Sequence, residues 1–416
     1  MATALLILRN ADFRMLLFTR MCAVMAMQAQ AVIVGWQVYS ITKDPFMLGL
    51  TGLVEAVPAI LCALISGHIV DKNRPHRILQ LCLGTLALNT LLLCVVAGGA
   101  AEVPASWVVP YIFFGIFVSG LARSFIMPSS FSLLPQVVAR DDIPAASAWM
   151  SSSFQIAAIT GPAIAGVAYG WHGAQVAWLI PLVLMGAAWV ALFFISNGPR
   201  LFQSTQVREP ARASITAGWR FIFHNPVLLS VMALDMFAVL FGGVVAMLPA
   251  FADQVLHVGS EGLGLLRASP AVGAIITALI LAIRPLQTIR ATVLLIAVFG
   301  FGICMIGFGF STTLWMAAAF LMASGAFDSV SMVMRATIMQ WLTPEAMRGR
   351  VSAVNSMFII SSNEIGTFRA GVSASLIGLI PSILFGGVCT LAVVAVTALG
   401  SRTFRRTVIR ADVKAN

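Results

Sequence analysis

The chain has 416 residues, 60% of them hydrophobic and only 10% charged, with a net charge of +10 and a mean hydropathy of +0.97. Average soluble domains carry about 25% charged residues, so this composition excludes a water-soluble enzyme, a secreted disulfide protein, a coiled coil and a disordered chain. At about 20 residues per crossing, the length suits about twelve membrane helices, and the expected class is an all-α membrane protein.

The first apolar run, near 14–40, is too long for the core of a cleaved signal and has no small-residue cleavage site. Further runs follow near 46–68, 76–98, 107–134, 145–170 and 174–196. The longest polar stretch, about 197–225, then divides the chain, and its second part, 214–223, reads either as an amphipathic helix on the inner membrane surface or as a plain tether. Six more runs follow near 226–250, 262–283, 290–310, 312–341, 351–378 and 380–400. The predicted organisation is therefore a six-helix bundle over 1–198, a cytoplasmic linker over 199–225, a second six-helix bundle over 226–401 and a basic tail over 402–416.

Charge sets the expected orientation. With both termini on one side, nineteen Lys and Arg fall there, from Arg9 and Arg14 through Lys72, Arg74, Arg77 and the linker to Lys414, against Lys43 alone on the other. Positive loops stay in the cytoplasm, so both termini are expected inside. The basic residues punctuate apolar runs instead of forming one patch, which excludes a nucleic-acid partner. The six cysteines lie inside apolar runs, and no His or Cys spacing suggests a metal or cofactor. No Gly-rich phosphate loop of the GxxxxGK[ST] kind occurs, so a nucleotide-driven pump is excluded. No catalytic motif gathers at one depth, so no enzyme is expected.

The two halves overlay on each other. At an offset of 205, Ser119-Gly120 falls on Ser324-Gly325, Ser147-Ala148 on Ser352-Ala353, Gly161 on Gly366 and Gly166 on Gly371. At an offset of 215, Asn10 falls on Asn225, Ala23-Val24 on Ala238-Val239, and Leu48-Gly49-Leu50 on Leu263-Gly264-Leu265. Duplicated six-span halves are a transporter architecture. In this overlay Arg20 maps onto Asp235 and Arg123 onto Asp328.

Span 2 closes on Gly67, then Asp71, Lys72, Arg74 and Arg77. Gly67 allows close helix approach, and Asp71 suits a neighbouring helix N-terminus, where the dipole favours an anion. This segment resembles the loop 2–3 signature of the major facilitator superfamily, which implies a conformational latch on the cytoplasmic side. Gly161-Pro162, followed by Gly166, resembles the span 5 motif of its antiporter branches, with Ala157 and Ala165 where that motif prefers glycine. The segments 30–39, 52–58, 235–239 and 343–351 look like the enterobactin-exporter-like branch, which groups siderophore exporters with multidrug effluxers. Arg369 departs from the carboxylate or small polar residue expected there.

Charges within spans usually face a partner or a cavity. Glu55, Asp235, Asp328 and Glu364 are candidates for proton titration, and Arg123 resembles the span 4 arginine linked to proton coupling in antiporters. Arg20 and Asp235 are candidates for a gate across the repeat axis, the alternative being a local bond within each half. Arg335 and Arg267 are expected to reach toward the membrane surfaces. Gln28, Gln30, Trp36, Phe237, Met332 and Asn355 are candidate substrate contacts on spans expected to line the path. Together the expected function is a secondary transporter, a proton-coupled exporter of an amphipathic organic molecule such as a siderophore or drug, working by alternating access. The alternative is an uncoupled facilitator or importer of a small metabolite. The expected setting is the bacterial inner membrane, as a monomer, with protons, membrane lipids and a small-molecule substrate as partners.

Overall fold

The computed structural model describes residues 7–97, 104–139, 142–196, 211–283, 288–344, 347–400, 404 and 408–410. Its helices are α1 (Ala11–Thr42), α2 (Pro45–Lys72), α3 (Pro75–Ala97), α4 (Ala105–Val137), α5 (Ile143–Phe193), α6 (Ala211–His224), α7 (Pro226–Gly242), α8 (Leu248–Gln254), α9 (Gly259–Ile283), α10 (Ala291–Gly309), α11 (Leu314–Leu342), α12 (Arg348–Ile377) and α13 (Leu379–Gly400). Among the described residues, ten helical stretches are long and apolar enough to cross a membrane. One of them, α5, has 51 residues. At 1.5 Å per residue that is ~77 Å, more than twice a hydrocarbon core of ~30 Å. It turns back at Gly173, whose φ of 76° and ψ of −177° only glycine adopts readily, and so contributes two spans. The charged α12 is long enough to span despite its polarity, which brings the crossings to twelve.

Two compact units form. The first holds Met1–Lys43, Val54–Val207 and Gly259–Leu265; the second holds Asp44–Leu53, Arg208–Val258 and Leu266–Asn416. Each unit thus takes in the opening turns of one helix from the other half of the sequence. The glycines explain this. Within the second unit, a Cβ on Gly49 would lie 2.8 Å from the Gly371 Cα, and within the first, a Cβ on Gly264 would lie 2.9 Å from the Gly166 carbonyl carbon. Bare backbones cross at both points, as small residues permit in membranes.

The repeat recurs in capping, packing and core. Asn10 caps α1, its side-chain oxygen accepting from Asp12 N and Phe13 N at 3.0 and 3.2 Å. Asn225, 215 residues on, caps α7 in the same way, accepting from Val227 N and Leu228 N at 3.1 Å. Gly120 on α4 packs against Glu55 and Pro58 of α2, and its repeat mate Gly325 on α11 packs against Pro270 of α9. Gly161 meets Met25 on α1; its mate Gly366 meets Val239 and Leu240 on α7. Leu16 and Leu133 sit in the core of the first unit, and Val231 and Ile338 hold the matching places in the second.

Three local features depart from the sequence expectation. Span 7 is not continuous: α7 stops at Gly242, a 3-10 turn covers Val245–Met247, and α8 resumes the path. The linker contains α6, a helix where a plain tether was the alternative, and it packs on the second unit. Ile222 is fully buried in a cluster with Met232, Val351 and Val354, and Trp219 packs 5.2 Å from Phe358. The tail is not wholly free either. Phe404 is fully buried in the second unit's core, and a strand at Val408–Arg410 pairs antiparallel with one at Thr288–Arg290. An all-α expectation misses this pair because both strands are three residues long in basic stretches.

Candidate functional site

In the first unit, Gly120 brings the α4 backbone against α2 at Glu55, and one turn further along α4 Arg123 reaches the Glu55 carboxylate in an ion pair. The side chains keep 35% and 21% of their surface, so this pair is only partly withdrawn from solvent. Pro58 has no N–H to give its helix, which makes this stretch of α2 a place where a neighbour is needed.

In the second unit, Arg335 of α11 forms an ion pair with Asp235 of α7, and its other nitrogen lies 4.0 Å from Asp328. Asp328 and Arg335 are seven residues apart, two turns along one helix face. Arg335 also donates from Nε to the Ser331 carbonyl at 3.3 Å, which folds its head back toward Asp328. The expectation that Arg335 reaches the membrane surface is therefore corrected: its side chain is 13% exposed, because two carboxylates hold it inside. Asp235 is equally enclosed at 11%, whereas Asp328 keeps 46% of its surface. Two carboxylates share one guanidinium, so the group carries one excess negative charge when all three are ionised.

The gate candidates are each held locally. Asp235 is paired with Arg335, and Arg20 lies 5.7 Å from the ring centre of Phe131 in its own unit. Glu364 is half-buried on α12. Arg369, unexpected from the sequence, has a definite place. Gly366 sets α12 against α7, and one turn on, Arg369 donates to the Leu240 and Phe241 carbonyls at 3.0 and 2.8 Å. These are orphan acceptors of the last turn of α7, and the carbonyl before them, on Val239, accepts from Gly243 N. Arg369 thus closes the end of a helix broken inside the spanning region.

Of the substrate candidates, Gln30 is corrected to a packing group. It is 7% exposed, and its amide bonds Ser119 Oγ at 3.4 Å and accepts from Thr90 at 3.1 Å, while Asn89 joins the same Ser119 at 2.9 Å. Sequence reading missed Thr90 and Ser119 as its partners, and Asn89 as a further partner of Ser119, since the three come from two other helices. Trp36 packs edge-on to Tyr169 at 6.4 Å. Phe237 and Met332 are accessible, at 38% and 42%, and Gln28 and Asn355 are half-buried. In the loop 2–3 segment, Arg74 and Arg77 line an exposed cleft of about 550 Å³ with Lys72 and Leu81. Gly67 and Asp71 lie in the last turns of α2, and their packing lies outside what the structure describes. Gly161 and Gly166 make the close backbone contacts given above, with Pro162 between them in α5.

Twelve crossings in a duplicated arrangement, with arginine–carboxylate pairs inside the spans, define a membrane transporter. The family model of the Major Facilitator Superfamily matches residues 16–367, and the chain belongs to that superfamily. Among curated relatives it is 23% identical to the enterobactin exporter EntS of Escherichia coli O1:K1 over 359 residues, covering 86% of this chain and 84% of the relative. It is 22% identical to the EntS of Citrobacter koseri over the same shares. The fold matches that of a bacterial homologue of the lysosomal transporter Spinster, with a TM-score of 0.71, 13% identity and coverage of 95% and 98%. It also matches a bacterial homologue of the iron transporter ferroportin, with a TM-score of 0.66, 17% identity and coverage of 93% and 97%.

Proposed function

We propose that this transporter is a proton-coupled exporter of an amphipathic organic molecule, and that it couples through Asp235, Arg335 and Asp328. The observation that carries this reading is the charge imbalance: Arg335 neutralises Asp235, leaving Asp328 at 4.0 Å with an accessible carboxylate. An uncompensated charge inside a span is costly, and taking up a proton removes it. Protonation also releases Arg335 from one of its two partners, which ties the proton to the packing of α11 against α7. Glu55 and Arg123 form a balanced pair, better suited to holding α2 on α4 than to loading a proton. The names of the relatives support export and a siderophore as cargo.

In this reading the protein works as a monomer in the bacterial inner membrane with both termini inside, as the basic loops imply. Bundles over 1–198 and 226–401 flank the linker, and the Lys72–Arg77 loop and Gly161–Pro162 act in the conformational change. Phe237, Met332, Trp36, Gln28 and Asn355 offer soft and polar contacts to cargo, and Met surfaces re-pack around varied ligands.

The test is enterobactin and drug accumulation outside a deletion strain complemented with wild type or Asp328→Asn, grown with and without iron and at two external pH values. Export by wild type that depends on the pH gradient, and its loss in a well-expressed Asp328→Asn, is the expected result. Gradient-independent equilibration by wild type would replace export with facilitation.

A further inference from the structure

Five arginines lie within spans, and four have partners. Arg123 pairs with Glu55, Arg335 with Asp235 and Asp328, Arg369 with two carbonyls of α7, and Arg20 with the face of Phe131. Arg267 on α9 has none: among the described residues no carboxylate, carbonyl or ring meets it, and its Nε is sealed from solvent without a hydrogen bond. A guanidinium offers five donors and stays charged, so Arg267 keeps donors that the described residues do not use.

The faces of α9 show where the head lies. With about 100° per residue and Gly264 set at zero, the exposed apolar residues Val272, Ile275, Ile276, Leu279, Ile280 and Ile283 fall between roughly 20° and 160°. Gly273 and Pro270, which pack on α11, fall near 180° and 240°. Arg267 falls near 300°, about 150° from the middle of the exposed apolar face. Arg267 thus starts from a different stripe of α9 than these apolar residues. That stripe also differs from the one that packs on α11 through Pro270 and Gly273. The Nε atom is sealed from solvent, while the residue as a whole is only half-buried.

We infer that Arg267 is the recognition group for an anionic oxygen function, a carboxylate or phenolate, on the transported molecule. The inference deepens the export reading and rests on it only for calling the ligand cargo. A planar guanidinium presents a two-pronged donor to such a group, and a bound anion would pair its charge.

The experiment is a fluorescence titration of purified wild type, Arg267→Gln and Arg267→Lys in phosphatidylcholine nanodiscs, with dansylglycine as the anionic probe and dansylglycinamide as its neutral counterpart. Wild type should bind the anion about tenfold or more tightly than the amide, the scale of one charged hydrogen-bonded contact. Arg267→Gln should erase that preference and leave the amide unchanged, and Arg267→Lys should keep part of it. No saturable anion binding by wild type, no preference, or equal weakening of both probes in Arg267→Gln would overturn the assignment. If anion binding vanishes once phosphatidylglycerol makes up a quarter of the lipid, the occupant is a lipid phosphate and the cargo assignment fails. Binding needs no flux, so a failure here leaves proton-coupled export standing, and a failure of coupling in Asp328→Asn leaves this result untouched.

Discussion

Replacing Arg369 by Met tests how the broken span is closed. The native side chain supplies two charge-assisted hydrogen bonds, to Leu240 and Phe241 at 3.0 and 2.8 Å. Bonds to charged groups contribute about 1.5–3 kcal/mol each. The half-buried setting puts this pair toward the lower end, so the loss is about 3 kcal/mol. In addition, Met keeps the stem but leaves two helix-terminal carbonyls without donors where water is scarce, a state membrane interiors disfavour. At about 2–4 °C per kcal/mol for a unit of 150–250 residues, the melting temperature in detergent should fall by roughly 6–12 °C. Arg369→Lys, with a single point of donation, should recover about half of that. Hydrogen exchange should rise first at the amides of 243–247, just past the released end. A Met variant that melts within a degree or two of wild type, with unchanged exchange there, would refute the cap.

Phe404→Ala should destabilise the second unit by about 3–5 kcal/mol, the usual loss for a fully buried Phe, read as a lower melting temperature; a free tail would show no change. Asn10→Ala and Asn225→Ala should each lose about 1 kcal/mol, and a large difference between the two would contradict the shared capping role. Gly120→Leu and Gly325→Leu should both block assembly or lower expression sharply, since each glycine lies on a neighbouring backbone, and normal yield of either would show that the helices can separate there. Asp235→Asn should lower stability more than Asp328→Asn, because it breaks the enclosed ion pair and leaves Arg335 only the 4.0 Å contact to Asp328, whereas Asp328 is 46% exposed; equal melting temperatures would contradict that division.

Much of this arrangement was legible in the sequence. The spans follow from apolar runs, and the offset that matches Asn10 to Asn225 joins two residues that cap equivalent helices. The matched glycines Gly120/Gly325 and Gly161/Gly366 turn out to lie at helix contacts in both halves. The partners were less legible, because a repeat offset says which positions are equivalent and not which ones touch. Arg20 and Asp235 are equivalent by offset, yet Asp235 is joined to Arg335, a residue whose repeat mate is Ser130. The seven-residue spacing of Asp328 and Arg335 was the available signal, since it places both on one helix face. Gln30 looked like a polar group for cargo because its partners on α3 and α4 are remote in sequence. Phe404 was hidden by its basic neighbours, which made the whole tail read as solvated.

Proton movement tests the central claim most directly. Wild type and Asp328→Asn would be reconstituted in liposomes loaded with a pH-sensitive dye and carrying a pH gradient, and the exported compound added. Wild type should move protons down the gradient as the compound moves up its own, while Asp328→Asn should bind the compound and move no protons. Equal proton movement in both, or transport by wild type with no proton movement at all, would contradict coupling through this carboxylate.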